Sequence, residues 1–281
     1  MDITGNAFIT GGGSGIRKAC AHGLAKAGAR VIVVTDIDLQ AAQKTAEETC
    51  SVAAHAEFCV EAVQLDITVE ADVKAAVAQM MDQHGRIDYC VHSAGIAATT
   101  FNPVSATDFE DFKHVQHVNV FGTFLIINTV AAAMKSQEPV PYDVSLPEKG
   151  STRGSIVNLG SLVSVILLPN LVQYNSAKHG VLGLSKTAAI DLVGDGIRVN
   201  CVCPAWTTTP MVANFNQQFP GEAVRELNVR LTTATPTISL TFNFHTASPG
   251  LEEAMIRQVP MGRLALPQEI AETVLFLCSP R

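Results

Sequence analysis

The 281-residue sequence is poor in charged and aromatic side chains: charged residues make up 16 %, aromatic residues 6 %, and there is a single tryptophan. Hydrophobic residues reach 47 %, which excludes intrinsic disorder because a chain with this much apolar material can bury a large core. Acidic residues outnumber basic ones by 26 to 19, for a net charge of −7, and no run of lysine or arginine occurs. We therefore expect no nucleic-acid partner and no anionic membrane partner.

The sequence also lacks the marks of a secreted or membrane-spanning chain. Residues 1–6 contain neither a basic segment nor an apolar one, so no signal peptide is predicted. Two long uncharged runs, 115–134 and 154–177, are interrupted by polar residues and favour buried elements over membrane spans. The seven cysteines are an odd number among apolar neighbours, and no Asn-x-Ser/Thr acceptor is present. Reduced thiols and a cytoplasmic location are therefore expected.

Short apolar segments alternate with helical patterns along the chain. The predicted strands are 7–10, 31–36, 58–65, 88–92, 154–159 and 197–203. The predicted helices are one that begins at Gly15 and those over 39–50, 69–84, 107–136 and 172–193. This alternation predicts an α/β fold, a doubly wound parallel sheet covered on both faces.

No repeat and no linker is visible, so residues 1–281 are expected to form one domain. Two segments interrupt the alternation. Residues 137–153 are rich in proline and charge and are interpreted as an insertion before a strand. Residues 205–262 are irregular and include a threonine-rich part, so they are interpreted as a substrate flap.

A glycine-rich segment, residues 10–16, joins the first strand to the first helix. Glycines at this place let the backbone approach a pyrophosphate, and the helix amino end offers N–H groups and a positive dipole. An ordinary tight turn is the alternative, but the position after strand one and before helix one favours a Rossmann-type dinucleotide site. The candidate cofactor residues here are Gly11, Gly13, Ser14, Gly15 and Ile16.

Two aspartates end the second and third strands. Asp36 lies 21 residues after Gly15, where a carboxylate hydrogen-bonds the adenosine ribose and repels a 2′-phosphate. It therefore predicts NAD rather than NADP, unless it only caps the helix over 39–50. Asp66 can reach the adenine edge of a cofactor or, equally well, cap the helix that follows it.

Tyr174 and Lys178 lie four residues apart on a predicted helix and so share a face. A phenol has a reference pKa of about 10, and a neighbouring ammonium group lowers it. Such a pair can exchange a proton with an alcohol or a ketone. The spacing is common, however, and taken alone it usually has a structural role.

Taken together, these residues resemble the short-chain dehydrogenase/reductase family over nearly the whole chain. Ser161 lies 13 residues before Tyr174, as in that family. The insertion at 137–153 is similar to that of fungal members, some of which serve secondary metabolism. The matching residues are Thr10, Gly11, Gly15, Asp66, Ser93, Ala94, Gly95, Asn119, Ser161, Tyr174, Lys178, Pro204 and Ala205.

The resemblance implies a catalytic role for four residues. Tyr174 would donate the proton in reduction and accept it in oxidation, while Ser161 would hydrogen-bond the substrate oxygen. Lys178 would hold the nicotinamide ribose and lower the Tyr174 pKa, and Asn119 would anchor a water in a proton relay. Further cofactor contacts are expected from Ile67, Ser93, Ala94, Gly95, Pro204, Thr207 and Thr209.

Three departures from the family pattern matter. Arg17 stands where the third glycine of the motif is expected. We predict that its side chain is pushed outward, that the loop shifts and that cofactor binding is weakened. The alternative is that Arg17 bonds a phosphate of the cofactor. Ser93 replaces an asparagine. The sequence ends at Arg281, where the family continues into a last strand, and we expect this to weaken assembly.

The sequence favours a nicotinamide-dependent oxidoreductase that interconverts a secondary alcohol and a ketone. The substrate is expected to be bulky, apolar and cyclic, such as a terpenoid, steroid or polyketide. The flap supplies the apolar residues Val212, Phe215, Phe219, Leu227 and Leu231. The alternatives are a non-catalytic binding protein on the same fold and an isomerase or dehydratase that uses Tyr174.

Other side chains are interpreted as structural. His114 and His117 have no matching ligand set, so no metal site is predicted, and Cys201 and Cys203 are expected to be buried small hydrophobes on one strand face. Trp206 lines the pocket or anchors the flap. In the family the helices over 107–136 and 172–193 pair across a two-fold axis, so a homodimer or homotetramer is expected.

Overall fold

The computed structural model describes residues 3–143, 145–218, 229–230, 241–242, 251–257 and 259–279. In chain order the described strands are β1 (Asn6–Thr10), β2 (Val31–Asp36), β3 (Cys59–Gln64), β4 (Tyr89–His92), β5 (Val140–Pro141), β6 (Ser151–Thr152), β7 (Gly154–Leu159), β8 (Ile197–Val202), β9 (Val229–Arg230) and β10 (Thr241–Phe242). The described α-helices are α1 (Gly15–Lys26), α2 (Leu39–Cys50), α3 (Glu70–His84), α4 (Phe109–Gln116), α5 (Thr123–Ser136), α6 (Val172–Leu192), α7 (Pro210–Gln218), α8 (Leu251–Arg257) and α9 (Pro267–Cys278).

Six strands form one parallel sheet in the order β3-β2-β1-β4-β7-β8. The central strand β1 pairs with β2 on one side and with β4 on the other, so that Phe8 is in register with both Val33 and Cys90. The strand order therefore reverses between β1 and β4, and a crevice opens beyond the carboxyl ends of these two strands. The predicted doubly wound α/β fold is confirmed, and the predicted strands agree with the observed ones to within one residue at most ends.

Apolar layers cover both faces of the sheet. On one face, β1 and β2 pack against α1, α2 and α9, while on the other they pack against α3, α5 and α6. Helix α9 is an element that the sequence analysis did not predict. It lies against α1, where a Cβ on Gly23 would stand 3.1 Å from Leu275, so glycine permits the close approach of the two helices.

The long helix predicted over 107–136 is present from Phe109 to Ser136, but its middle is wound differently. Residues His117–Gly122 form a π-helical segment between α4 and α5. Such a segment inserts an extra residue per turn and often marks a functional site. By length and composition this helix could cross a membrane: an 18-residue window within it has a mean hydropathy of 1.5, and 44 % of that window is buried within the protein.

The two irregular segments differ in how far they are described. The insertion over 137–153 contains a short antiparallel hairpin, in which β5 pairs with β6. The expected flap over 205–262 contributes α7 and α8 and the antiparallel pair β9 and β10. Its residues Phe219, Leu227 and Leu231 lie outside the described part of the chain.

Candidate active site

The glycine-rich segment has the conformation that its sequence predicts. Gly11 and Gly15 have positive φ angles of 67° and 60°, which favour glycine. A Cβ on Gly13 would stand only 2.9 Å from the Asp36 carboxylate. Ser14 caps α1 without a side-chain hydrogen bond, and the first turn carries no acidic residue. The amino end of α1 therefore keeps its N–H groups and positive dipole available for an anion.

Asp36 does not cap the following helix. Asp38 does so, since its carboxylate accepts hydrogen bonds from the backbone N–H groups of Gln40 and Ala41 at 3.0 and 3.2 Å. The Asp36 carboxylate instead accepts from Gly13 N at 2.9 Å and from Asp38 N at 3.1 Å. It is thereby fixed at the end of β2 beside the glycine-rich loop, where a ribose is expected.

Asp66 and Ile67 were both predicted as cofactor contacts, but their side chains do not line the cleft. Asp66 Oδ1 accepts hydrogen bonds from the backbone N–H and the hydroxyl of Thr68 at 2.9 and 2.7 Å, so it forms a local turn and does not cap α3, whose N-cap residue is Val69. Ile67 is buried against Gly122, where it takes the space that a Cβ would need. The Ile67 side chain is therefore part of the core, and a cofactor contact by this residue stays a prediction.

Most of the other candidate residues meet in one cleft at the carboxyl ends of the strands. The predicted site residues and Arg17 that line it are Ser14, Gly15, Ile16, Arg17, Ser93, Ser161, Tyr174, Lys178, Pro204, Thr207 and Thr209. Its apolar wall comprises Ala97, Ala98, Phe101, Leu162, Val163, Leu168, Leu171, Trp206, Met211 and Val212. Trp206 also packs against Met255 and Leu264, so it both lines the cleft and anchors the segment after β8.

Gly11, Ala94 and Gly95 lie behind this surface. A Cβ on Gly11 would stand 2.8 Å from the Ala94 Cα, and one on Gly95 would collide with the Asn119 side chain. These residues therefore keep the loops after β1 and β4 close together.

Ser161 begins a short 3₁₀ turn, Leu162–Ser164, immediately after β7. Its hydroxyl accepts from Val163 N at 3.3 Å, and its backbone N–H donates to the Ser164 hydroxyl at 3.1 Å. The Ser164 hydroxyl donates in turn to the Lys178 carbonyl at 2.8 Å, which ties the turn to α6. The turn thus places the Ser161 hydroxyl within hydrogen-bond reach of Tyr174.

Burial raises the pKa of Tyr174 above its ordinary value. A hydrogen bond with the Ser161 side chain and the nearby Arg17 guanidinium act in the opposite direction, but they are smaller influences. The Lys178 ammonium lies 5.8 Å from the centre of the Tyr174 ring. The expected net lowering of the Tyr174 pKa is therefore wrong in this structure, because desolvation dominates.

Lys178 is buried, and its ammonium group donates a hydrogen bond to the Leu159 carbonyl at 3.0 Å. Burial lowers the pKa of Lys178 to about 8, with a further lowering by Arg17. The group is therefore still mostly protonated at neutral pH, and it retains donor capacity beyond the bond to Leu159.

Asn119 lies in the π-helical segment and is almost completely buried. Its side-chain amide donates to the Ile96 carbonyl at 2.9 Å, and its oxygen accepts from the Ile96 N–H at 3.1 Å. Asn119 therefore fixes the loop that follows β4, and it reaches the cleft through that loop rather than as part of its lining.

His92 is a site residue that sequence analysis missed. Its ring nitrogens lie 2.7 Å from the Thr10 hydroxyl and 2.9 Å from the Thr123 hydroxyl, and Thr123 also donates to the Asn119 carbonyl. Burial lowers the pKa of His92 to about 3, and the Lys178 and Arg17 charges add to this effect. The neutral ring links the ends of β1 and β4 to the π-helical segment.

The Arg17 side chain turns into the cleft, and the predicted outward orientation is wrong. Its guanidinium Nη1 would stand 2.6 Å from a Cβ on Gly11, so it fills space beside the first glycine of the motif. Burial lowers the pKa of Arg17, and the Asp36 and Tyr174 charges act in the opposite direction. Among the described residues it forms no ion pair closer than 4.0 Å.

Apart from Arg17, these residues fit a nicotinamide dinucleotide. The glycine-rich loop leaves room where a Cβ would collide, and the amino end of α1 is available to phosphates. Asp36 can receive ribose hydroxyls, and the buried Lys178 ammonium can donate to a second ribose. Among the described residues there is no group of three or more His, Cys, Asp or Glu side chains placed to hold a metal ion.

Comparisons with known proteins agree with this geometry. The family model for short-chain dehydrogenases matches residues 5–219. Over its full length the chain is 44 % identical to the short-chain dehydrogenase fogB of Aspergillus ruber and spans 92 % of that protein. It is 32 % identical over 273 residues to a cyclohexanol dehydrogenase of Acinetobacter, covering 97 % of this chain and 87 % of the other. The solved structure of NAD⁺-bound xylitol dehydrogenase is similar with a TM-score of 0.77 and 26 % identity, covering 99 % and 92 % of the two chains. The chain therefore belongs to the short-chain dehydrogenase/reductase family of NAD(P)-dependent oxidoreductases.

Proposed function

We propose that this enzyme interconverts a secondary alcohol and a ketone on a bulky, apolar, cyclic substrate, with NAD as its cofactor. The observation that carries the proposal is the meeting of Ser161, Tyr174 and Lys178 at the base of a cleft with an apolar wall. A cofactor held along the glycine-rich loop supplies or accepts the hydride, and the protein supplies placement and proton transfer.

The proton passes through the Tyr174 hydroxyl. In reduction this hydroxyl gives its proton to the ketone oxygen, and in oxidation the phenolate takes the proton of the alcohol. The Ser161 hydroxyl holds the same substrate oxygen and stabilises the phenolate by its hydrogen bond. The nearby Arg17 guanidinium also lowers the Tyr174 pKa, which offsets part of the desolvation that opposes the phenolate.

The preference for NAD rests on Asp36. Its carboxylate is fixed by Gly13 N and Asp38 N at the end of β2, and a 2′-phosphate at that place would meet a negative charge. The structural similarity to NAD⁺-bound xylitol dehydrogenase supports this assignment.

The apolar wall supports the substrate class. Ala98, Phe101, Leu168, Leu171 and Trp206 form a surface that offers an apolar ring system contact area without a fixed charge. The relative named cyclohexanol dehydrogenase supports a cyclic alcohol. A terpenoid, steroid or polyketide alcohol carries such a ring system, and we propose one of secondary metabolism as the substrate.

Assembly into a homodimer or homotetramer is part of the proposal. Large apolar side chains are exposed on the helix over 109–136 and on α6: Phe121 is 58 %, Phe124 50 % and Ile190 76 % exposed. Pairing of these two helices with a second copy would cover this surface. All seven cysteines are free thiols, which supports a cytoplasmic location.

The decisive test replaces Tyr174 by phenylalanine. With a panel of cyclic secondary alcohols and their ketones, Tyr174→Phe is expected to lower kcat by at least about 100-fold, the scale of a lost acid–base group. NADH binding, measured by fluorescence, is expected to change little. Tyr142→Phe, in the hairpin away from the cleft, is the matched control. Near-normal turnover by Tyr174→Phe would contradict the assignment.

A further inference from the structure

Two thiols lie side by side behind the catalytic turn. Cys201 is in β8, and Cys203 follows the last residue of that strand; their sulfur atoms are 3.9 Å apart. Residues two apart on a strand point to the same face, as the sequence predicted. Both side chains are only partly buried, however, so the interpretation as buried small hydrophobes is wrong.

The pair is in contact with the residues that hold Ser161. A Cβ on Gly160 would stand 3.0 Å from each sulfur atom, so glycine leaves room for both thiols beneath the turn. Cys203 forms hydrogen bonds with the Ser164 side chain and with the Ser161 backbone, and the Lys178 ammonium lies nearby. Cys201 forms a hydrogen bond with the Ser185 side chain on α6.

These contacts make the two thiols unequal. The hydrogen bond from Cys201, together with Ser164, the Ser161 backbone and Lys178, lowers the pKa of Cys203 to about 6. The same pairing and burial raise the pKa of Cys201. Burial raises the pKa of Cys20, Cys90 and Cys278 as well. At neutral pH the pair therefore consists of a thiolate on Cys203 and a thiol on Cys201, which is the form that reacts with oxidants.

We propose that Cys201 and Cys203 form a reversible redox switch, a dithiol that a hydroperoxide converts to a disulfide behind the active site. The Cys203 thiolate attacks the peroxide oxygen, the O–O bond breaks, and Cys203 becomes a sulfenic acid while hydroxide leaves. The Cys201 sulfur, losing its proton, then attacks Cys203 and displaces its oxygen as water. In sum, two thiols and one hydrogen peroxide give one disulfide and two waters.

The bond requires backbone movement, because two residues on the same face of a strand hold their Cβ atoms about 6.6 Å apart, beyond the usual Cβ separation of about 3.5–4.5 Å in a disulfide. Two residues of a strand span about 6.6 Å between Cα atoms, which lies near the upper end of the usual range of about 4.4–6.8 Å for disulfides. The sulfur atoms must approach from 3.9 Å to bonding distance, and Cys203, beyond the end of β8, can supply the movement. A strained disulfide is easily reduced, so an intracellular dithiol would restore the pair.

Oxidation would act on the site through the turn that carries Ser161. The disulfide removes the thiolate near Lys178. It also withdraws Cys203 from Ser164 and the Ser161 backbone, so the turn no longer holds the Ser161 hydroxyl in its position beside Tyr174. This consequence rests on the proposed function, whereas disulfide formation itself does not. Oxidised protein is expected to lose most of its alcohol oxidation and to recover it with dithiothreitol.

The experiment exposes the reduced full-length protein to stoichiometric hydrogen peroxide. Intact-mass spectrometry is expected to show the loss of two hydrogen atoms, and peptide mapping is expected to place the disulfide between Cys201 and Cys203. The reaction rate is expected to rise with pH around a midpoint near 6, as Cys203 ionises. Cys201→Ser is expected to stop at a sulfenic acid that dimedone traps on Cys203, and Cys203→Ser is expected to form no disulfide.

Cys50→Ser, which removes an exposed thiol far from the pair, is the matched control and is expected to oxidise like the parent. Oxidation that reaches Cys50 or Cys59 while Cys201 and Cys203 stay reduced would overturn the proposal. So would a Cys201–Cys203 disulfide that leaves both turnover and thermal stability unchanged. A disulfide that forms and shifts thermal stability in a protein without alcohol turnover would instead refute the proposed function and leave the redox pair supported.

Discussion

The buried His92 predicts a measurable loss of stability in mild acid. In the folded protein this ring is 2 % exposed and lies between the Thr10 and Thr123 hydroxyls at 2.7 and 2.9 Å. Its folded-state pKa is about 3, whereas an unfolded chain has a histidine pKa of about 6.5. Protonation in the folded state would also place a charge near the Lys178 and Arg17 cations.

The sign of the effect follows from proton linkage. Between about pH 6.5 and pH 3 the unfolded chain binds a proton at this residue that the folded chain does not, so acidification favours unfolding. More than about one unit above pH 6.5 the ring is neutral in both states and contributes no pH dependence. The slope is at most about 1.4 kcal/mol per pH unit, and the integrated loss between pH 7 and pH 5 is about 2 kcal/mol.

Urea unfolding at pH 7, 6 and 5 measures this loss, with His92→Gln as the test variant. Glutamine cannot titrate, so the variant is expected to be less stable than the parent at pH 7 and to lose about 2 kcal/mol less between pH 7 and pH 5. His114→Gln, which replaces an exposed histidine, is expected to keep the pH dependence of the parent. If His92→Gln and the parent show the same pH dependence, His92 is not held neutral in the folded protein.

Three further predictions concern the cofactor and the assembly. The enzyme is expected to prefer NAD(H) to NADP(H) by at least about tenfold in kcat/KM, and Asp36→Ala is expected to narrow this ratio; an NADP preference in the parent would contradict the role of Asp36. Arg17→Gly is expected to tighten NADH binding about tenfold in calorimetry, because it clears the space beside Gly11; weaker binding would show instead that Arg17 pairs with the pyrophosphate. Light scattering is expected to give a mass of at least two 29.8 kDa chains. Replacing the exposed Ile190 of α6 by lysine is expected to lower this mass. A monomeric parent protein at micromolar concentration would refute the helix pairing.

The succession of strands and helices along the chain and the motif residues could be predicted from the sequence alone. Strand and helix periodicities depend on neighbours a few residues apart, so they can be read directly, and β1, β2 and β7 lie where they predict. The glycine-rich segment is likewise local, because positive φ at Gly11 and Gly15 is a requirement of one turn. The approach of Ser161 to Tyr174 was implied by the resemblance to the short-chain dehydrogenase/reductase family, in which the two residues are also 13 positions apart.

Contacts between residues that are far apart in the sequence could not be predicted from it, because they depend on how the strands and helices pack. His92 meets Thr10 across 82 residues of sequence only because β1 and β4 are neighbours in the sheet, and no local pattern indicates this contact. Periodicity gives the face of a side chain but not the depth of its burial. Deep burial raises the pKa of Tyr174 and lowers the pKa of Arg17, because in each case it disfavours the charged form. The same limit applies to Cys201 and Cys203. The sequence predicts that they share one face of a strand. Their contacts with Ser161 and Lys178 could not be predicted, because these contacts arise from the packing of β7, β8 and α6 in the folded protein.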